Sequence, residues 1–228
     1  MPQKFQNLHK NKTRSKSSRK WLLRQINDPF VEKAKIDGYR SRASYKIIEI
    51  NDKFKFIKKH KVVVDLGCAP GGWSEYCVEI VGENRVIGID LLEISPIQGV
   101  NFLQLDFNEE NSKKIIKEEL LKIKNNNQGK CDIVLSDMAA NTTGDHNTDH
   151  LRIIDLLEQA LNLAIEILRK DGVFVGKIFQ GGNSEEILKI LRKHFELVKY
   201  FKPESSRKDS SETYLVAIGF KENNQNRN

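Results

Sequence analysis

The residues best suited to chemistry gather at the ends of short apolar runs. A β-branched run, Lys61 to Leu66, ends in Gly67-Cys-Ala-Pro-Gly-Gly72. Glycines at such a turn let the backbone approach a ligand closely. Asp90 closes the next apolar run, 18 residues past Gly72, where a carboxylate can accept hydrogen bonds from both hydroxyls of a ribose. Asp106 and Asp137 stand just past two further runs. A nucleoside cofactor, either a nicotinamide dinucleotide or S-adenosylmethionine, fits this set.

Two features separate those cofactors. Pro70 removes an amide that a pyrophosphate-cradling loop would use, whereas a sulfonium nucleoside has no phosphate to cradle. Three carboxylates along one edge would also repel a pyrophosphate and attract a cationic sulfonium. Any one of them could be a helix cap. Three in succession favour a ligand, and S-adenosylmethionine is the better match. Trp73, directly after the glycines, is expected beside the nucleoside as a wall for its adenine.

These residues need a sheet whose strand ends lie side by side. Apolar residues at helical spacing from Ser44 to Ile57 predict a helix leading into the body. Strand-like runs at 61–66, 85–90, 100–105, 131–136, 172–179, 196–201 and 212–220 are interleaved with helix-like stretches after Gly72 and at 108–124, 149–169 and 184–195. The pattern implies an α/β sheet of seven strands, mostly parallel, with helices on both faces. Ligands bind such sheets at the carboxyl ends of the strands, near the point where strand order reverses. The last two strands have no helix between them and are expected to pair antiparallel. Asp171-Gly172 is expected to end the long helix in a left-handed cap. Asn125-Asn-Asn-Gln-Gly129 reads as a surface loop.

Charge points to the partner. The 228 residues include 38 Lys or Arg and 31 Asp or Glu, a net of +7, but residues 1–46 carry +10 and the remaining 182 carry −3. This predicts a basic, flexible arm at 1–24 for a polyanion, a domain at 25–221 and a disordered tail at 222–228. No apolar run reaches the roughly 20 residues of a membrane span. Cys68, Cys77 and Cys131 form neither a CxxC nor an even framework, consistent with a reducing cytoplasm. A monomer is the expectation.

Four segments together carry a resemblance: Asp65-Leu-Gly-Cys-Ala-Pro-Gly-Gly-Trp-Ser74, Leu135-Ser-Asp-Met-Ala-Ala-Asn141, Gly176-Lys-Ile-Phe-Gln-Gly181, and Pro203-Glu-Ser-Ser-Arg207 with Ser211-Glu-Thr-Tyr214. With Arg40-Ser-Arg-Ala-Ser-Tyr-Lys46 they closely resemble the FtsJ/RrmJ family of ribose 2'-O-methyltransferases over roughly residues 20 to 221. The resemblance implies a Rossmann-like class I S-adenosylmethionine-dependent methyltransferase, closest to the bacterial branch that methylates a uridine in the A-loop of 23S ribosomal RNA in the large ribosomal subunit. It implies a catalytic set at Lys46, Asp137, Lys177 and Glu212. It implies cofactor contacts at Gly71, Trp73, Asp90, Asp106 and Asp137. Ala140 departs from the family's usual proline, which bears on the rigidity of the loop after Asp137.

Methyl transfer to a ribose hydroxyl requires the acceptor oxygen to be oriented behind the methyl group and to lose its proton. A lysine serves as a neutral base or as a cation beside the oxygen; Lys177, at a strand end, is the candidate. Arg14, Lys16, Arg19, Lys20, Arg24, Arg40 and Arg42, with Lys202, Arg207 and Lys208, are expected to track RNA phosphates. Competing readings are a non-catalytic ribosome-assembly factor, a tRNA methyltransferase and a nicotinamide-dependent dehydrogenase. The complete Lys-Asp-Lys-Glu set disfavours the first, the Pro70 turn and carboxylate row the last, and no residue excludes tRNA. Deleting residues 1–24 should weaken RNA binding more than cofactor binding when both are titrated; equal losses would point to a folding defect instead.

Overall fold

In the computed structural model the described residues are 16–139, 144–180, 184–207 and 209–222. Arg14, Ala140, Lys208 and the tail from residue 223 lie outside them, as do the side chains of Lys16 and Lys20. Three helices come first, α1 (Lys16–Ile26), α2 (Pro29–Asp37) and α3 (Ser44–Phe54). Then follow β1 (Val63–Leu66), α4 (Gly72–Val81), β2 (Val86–Asp90), β3 (Val100–Gln104), α5 (Ser112–Lys122) and β4 (Cys131–Ser136). The chain ends with α6 (His146–Ile167), β5 (Leu168–Phe179), α7 (Glu185–His194), β6 (Phe195–Phe201) and β7 (Glu212–Phe220).

Every residue of β1 and β4 is buried, as expected for central strands covered on both faces. The sheet order is β3-β2-β1-β4-β5-β7-β6. Only β7 runs against its neighbours, β5 and β6; all other pairs are parallel. The strand order therefore reverses between β1 and β4, and both the turn after β1 and Asp137 after β4 stand at that switch point. One face buries Ile116, Leu120, Leu161 and Phe174 under α5, α6 and α7. The other buries Ile47, Ile50, Trp73, Cys77 and Tyr214 under α3 and α4.

Two expectations change. The long helix stops at Ile167, and the fully buried Leu168 starts β5 at once. Asp171, at φ 63°, takes the left-handed conformation inside the strand. Gly172 is there for space, since a Cβ would lie 2.8 Å from the Arg169 carbonyl oxygen. The second change concerns the arm, whose residues from Lys16 form α1 and run across the boundary expected at 24/25. Leu22 and Leu23 are half-buried there, and Arg24 pairs with Asp209 at 2.8 Å. A truncation that spares the fold therefore falls before Lys16.

Gly176 sets the depth of β5 just before Lys177. A Cβ at this position would come within 2.2 Å of Leu157 Cδ1 on α6 and 3.0 Å of the Phe174 ring. Gly176→Ala should therefore lower unfolding stability by about 1–3 kcal/mol, the usual cost of overpacking, as measured by urea denaturation. An unchanged midpoint would show that Leu157 moves aside freely.

Candidate active site

Strand register gathers the polar residues. Across the β5–β7 pair, Lys177 lies opposite Tyr214 and Phe179 opposite Glu212. Residues two apart on a strand share a face, so Lys177, Tyr214 and Glu212 are on the same side of the sheet. Ser136 pairs with Gly176, which brings the next residue, Asp137, out beside Lys177. Helix α3 covers this face and supplies Lys46. It is seated against the glycine turn, where Ser44 Oγ donates to the Gly72 carbonyl at 3.1 Å. A Cβ on Gly72 would sit 2.6 Å from the hydroxyls of both Ser41 and Ser44; only glycine allows this approach.

Asp137 is the hub. Its Oδ1 accepts the Tyr214 hydroxyl at 2.7 Å and lies 3.1 Å from Lys177 Nζ, while its Oδ2 lies 3.5 Å from Lys46 Nζ. Lys177 Nζ also donates to the Asp137 carbonyl at 2.5 Å. Lys46 Nζ is 3.0 Å from the Glu212 carboxylate, which in turn accepts the Ser206 hydroxyl at 2.9 Å. Lys46 and Lys177 are only 8% and 7% exposed, so their charges must be held by these partners.

The electrostatics follow from that pairing. Burial pushes the Asp137 carboxyl up, but the ammonium groups of Lys177 and Lys46 and the Tyr214 hydroxyl pull it down to about 2. Burial works to lower Lys46, yet the Asp137 and Glu212 charges leave it above the ordinary lysine value. Burial, reinforced by Asp137 and Glu212, raises the Tyr214 hydroxyl well above its usual range, so it remains a donor. Within β1, burial moves the Asp65 carboxyl to about 7 against the opposing hydrogen bond from Ser74, with Asp137 and Asp90 adding to the rise.

Next to this cluster a cleft of about 410 Å³ opens at the switch point. Asp90, Asp106 and Asp137 line it, with Leu92, Phe107 and Met138 among its apolar walls, and among the described residues no lysine or arginine is part of the lining. Asp90 ties the turn in place by accepting from the Ala69 and Leu92 amides at 2.8 and 2.9 Å. Asp106 accepts from the Asn108 amide at 2.9 Å through Oδ1. Its Oδ2 has no partner among the described residues. An acidic, cation-free cleft suits a positively charged nucleoside and disfavours a pyrophosphate.

Other expected site residues are placed differently. Gly71, at φ 109°, is the N-cap of α4 and is not part of the cleft lining. Trp73 is a core residue instead of an adenine wall: it is 3% exposed, donates through Nε1 to the Ala43 carbonyl at 2.8 Å, and packs on Tyr214 at 5.6 Å between centroids. Arg40 is engaged by the Ser95 and Pro96 carbonyls and by Glu75. Arg42 is clamped between Asp28, at 2.8 Å, and the Ser205 carbonyl. Both arginines hold the walls of the site together.

Arg19 is exposed, and Lys202 donates to the Ser210 carbonyl at 2.7 Å. Arg24, Arg42 and Arg207 line a second cavity of about 540 Å³. That cavity adjoins the hub through Ser206, which lines it and bonds Glu212.

The sequence profile of the FtsJ-like methyltransferases matches residues 39–220. The chain belongs to the FtsJ-like methyltransferase family. Among curated relatives of this FtsJ-like methyltransferase, "Ribosomal RNA large subunit methyltransferase E" of Rickettsia akari (strain Hartford) is 49% identical over 224 residues, covering 96% of each chain. The protein of the same name from Novosphingobium aromaticivorans is 48% identical over 92% of this chain and 91% of its own. A solved structure described as a ribosomal RNA methyltransferase from Plasmodium falciparum superposes with a TM-score of 0.69 at 32% identity, covering 80% of this chain and 98% of that one.

In this FtsJ-like methyltransferase, Tyr214 is the residue that sequence reasoning missed. The available signal was its place two residues after Glu212 in a strand, on the same face. A hydrogen bond to a charged group typically contributes about 1.5–3 kcal/mol. In Tyr214→Phe the Asp137 carboxyl should titrate at a higher pH than in the parent, followed by carbon-detected NMR. Because Asp137 is depressed in the folded state, it stabilises the fold above the unfolded carboxylate range, and that contribution disappears as pH falls towards about 2. The variant should lose it at a higher pH. An unmoved titration would remove Tyr214 from the hub.

Proposed function

We propose that this FtsJ-like methyltransferase transfers a methyl group from S-adenosylmethionine to the ribose 2'-hydroxyl of a uridine in the A-loop of 23S ribosomal RNA, acting on the large ribosomal subunit. The observation that carries the reading is the hub itself: Lys177, Asp137, Lys46 and Glu212 joined at the sheet edge beside an acidic, cation-free cleft. The rRNA substrate is supported by the names of relatives at 48–49% identity.

S-adenosylmethionine, when bound, supplies an electrophilic methyl on a sulfonium that leaves as a neutral thioether. Asp90 and Asp106 would hold the nucleoside, and Asp137 would present negative charge toward the sulfonium while fixing Lys177. An ammonium has three donors. Lys177 places donors on the Asp137 carboxylate and carbonyl, which leaves one for the acceptor oxygen. It either takes the hydroxyl proton as a neutral amine or, as a cation, stabilises that oxygen while the proton leaves to water. Both routes need the nitrogen at the same place. Lys46 and Glu212 would flank the acceptor ribose.

Lys177→Ala should abolish methylation, by at least about 100-fold, the usual scale of a positioned acid–base group, while cofactor affinity stays within a few-fold by calorimetry. Near-normal turnover would overturn the assignment. Loss of both turnover and cofactor binding would make Lys177 structural.

A further inference from the structure

The amino ends of the parallel strands, opposite the active site, form a second polar pocket of about 470 Å³ lined by His60, Val62, Arg85, Lys124, Asn125, Asn126 and Arg169. Three cations and a histidine face it, and among the described residues no carboxylate is part of the lining. Its residues come from the α3–β1 connection, the start of β2, the α5–β4 connection and the start of β5. With β4 six residues long, at about 3.3 Å per residue the two ends of the sheet are roughly 20 Å apart.

Two of the three cations are held in place by the protein. Arg85 is steadied by donating to the His60 carbonyl at 2.8 Å. Arg169 donates to the Lys130 carbonyl at 2.9 Å and to Asn126 Oδ1 at 3.3 Å, and its buried Nε has no acceptor. Asn126, itself buried, braces the connection by donating to the Leu120 and Lys130 carbonyls at 2.8 Å. The nearest acid, Asp132, is buried and already shared by Lys61 at 2.9 Å and Arg169 at 3.7 Å. Arg85 and Lys124 have no carboxylate partner among the described residues, and Lys58 and Lys59 extend the exposed positive surface on the same connection.

A cluster of three cations in a polar pocket, two of them without a carboxylate partner among the described residues, suits a phosphate. We propose that this pocket binds the phosphate backbone of a second RNA segment, so that the protein is held on its substrate at two opposite ends of the sheet. This rests on the reading that the substrate is large-subunit rRNA, whose length offers a segment remote from the target.

The test uses the full chain, its Arg85→Gln/Lys124→Gln double variant and Lys124→Glu. Binding to full-length 23S rRNA and to a short hairpin carrying only the target loop is measured across a salt series. On the long RNA the slope of log affinity against log salt should fall by about 1.4–1.8 for two lost phosphate contacts, at about 0.7–0.9 each. Lys124→Glu should weaken long-RNA binding as well. On the hairpin, affinity and methylation rate should not change, which also shows that the variants are folded. An unchanged slope on the long RNA overturns the proposal, as does an equal loss on the hairpin. If the parent methylates rRNA and the variant slope is unchanged, only this inference falls; a parent that neither binds nor methylates either RNA overturns the rRNA reading and this one together.

Discussion

The structure depends on one half-buried carboxylate. Asp137 is held at the edge of the cleft by two buried lysines and a buried tyrosine, and each of those groups needs Asp137 in return. Removing one member of such a cluster leaves an uncompensated buried charge, which is far more costly than the net worth of any pair. The constraint reaches outward through strand register. Lys177 meets Asp137 only because Ser136 pairs with Gly176, and Tyr214 meets both only because it lies opposite Lys177. Helix α3 must then sit close enough to bring in Lys46, which the bare backbone of Gly72 permits.

Parallel strands made much of this legible beforehand. In such a sheet the carboxyl ends all lie along one edge, so the residue after each apolar run is placed by topology alone. Asp90, Asp106 and Asp137 were found that way, and all three line the cleft. The antiparallel part was harder. The sequence shows that β7 carries Glu212 and Tyr214 on one face, but not which residue of β5 stands opposite, because a register shift of two would keep the same alternation. Side-chain direction was harder still: adjacency to the glycine turn did not reveal that Trp73 turns into the core, where its indole finds the Ala43 carbonyl.

Charge was the least legible quantity. Counting residues divided the chain into a basic arm and a nearly neutral body, yet counting does not say which charges already have partners. Arg40 and Arg42 belong to the basic count and turn out to be fastened to carbonyls and carboxylates of the protein. Within the body of net −3, three carboxylates line the cleft, while Arg85 and Lys124 stand at the opposite end with no carboxylate partner among the described residues. The two pockets therefore differ in charge. One end suits a cationic donor and the other an anionic chain.

If the hub methylates a ribose oxygen of large-subunit rRNA, as proposed, the chemistry of the product reveals it. A 2'-O-methylated ribose cannot form the 2'-alkoxide that attacks the neighbouring phosphodiester in alkali, so a 2'-O-methylated nucleotide survives in an alkali-stable dinucleotide. The measurement is transfer of labelled methyl from S-adenosylmethionine to 23S rRNA in large-subunit particles, followed by alkaline digestion and mass analysis. The account predicts label in one alkali-stable dinucleotide containing a methylated uridine ribose. Label on a base, label on tRNA in preference to the particles, or no transfer at all would contradict it.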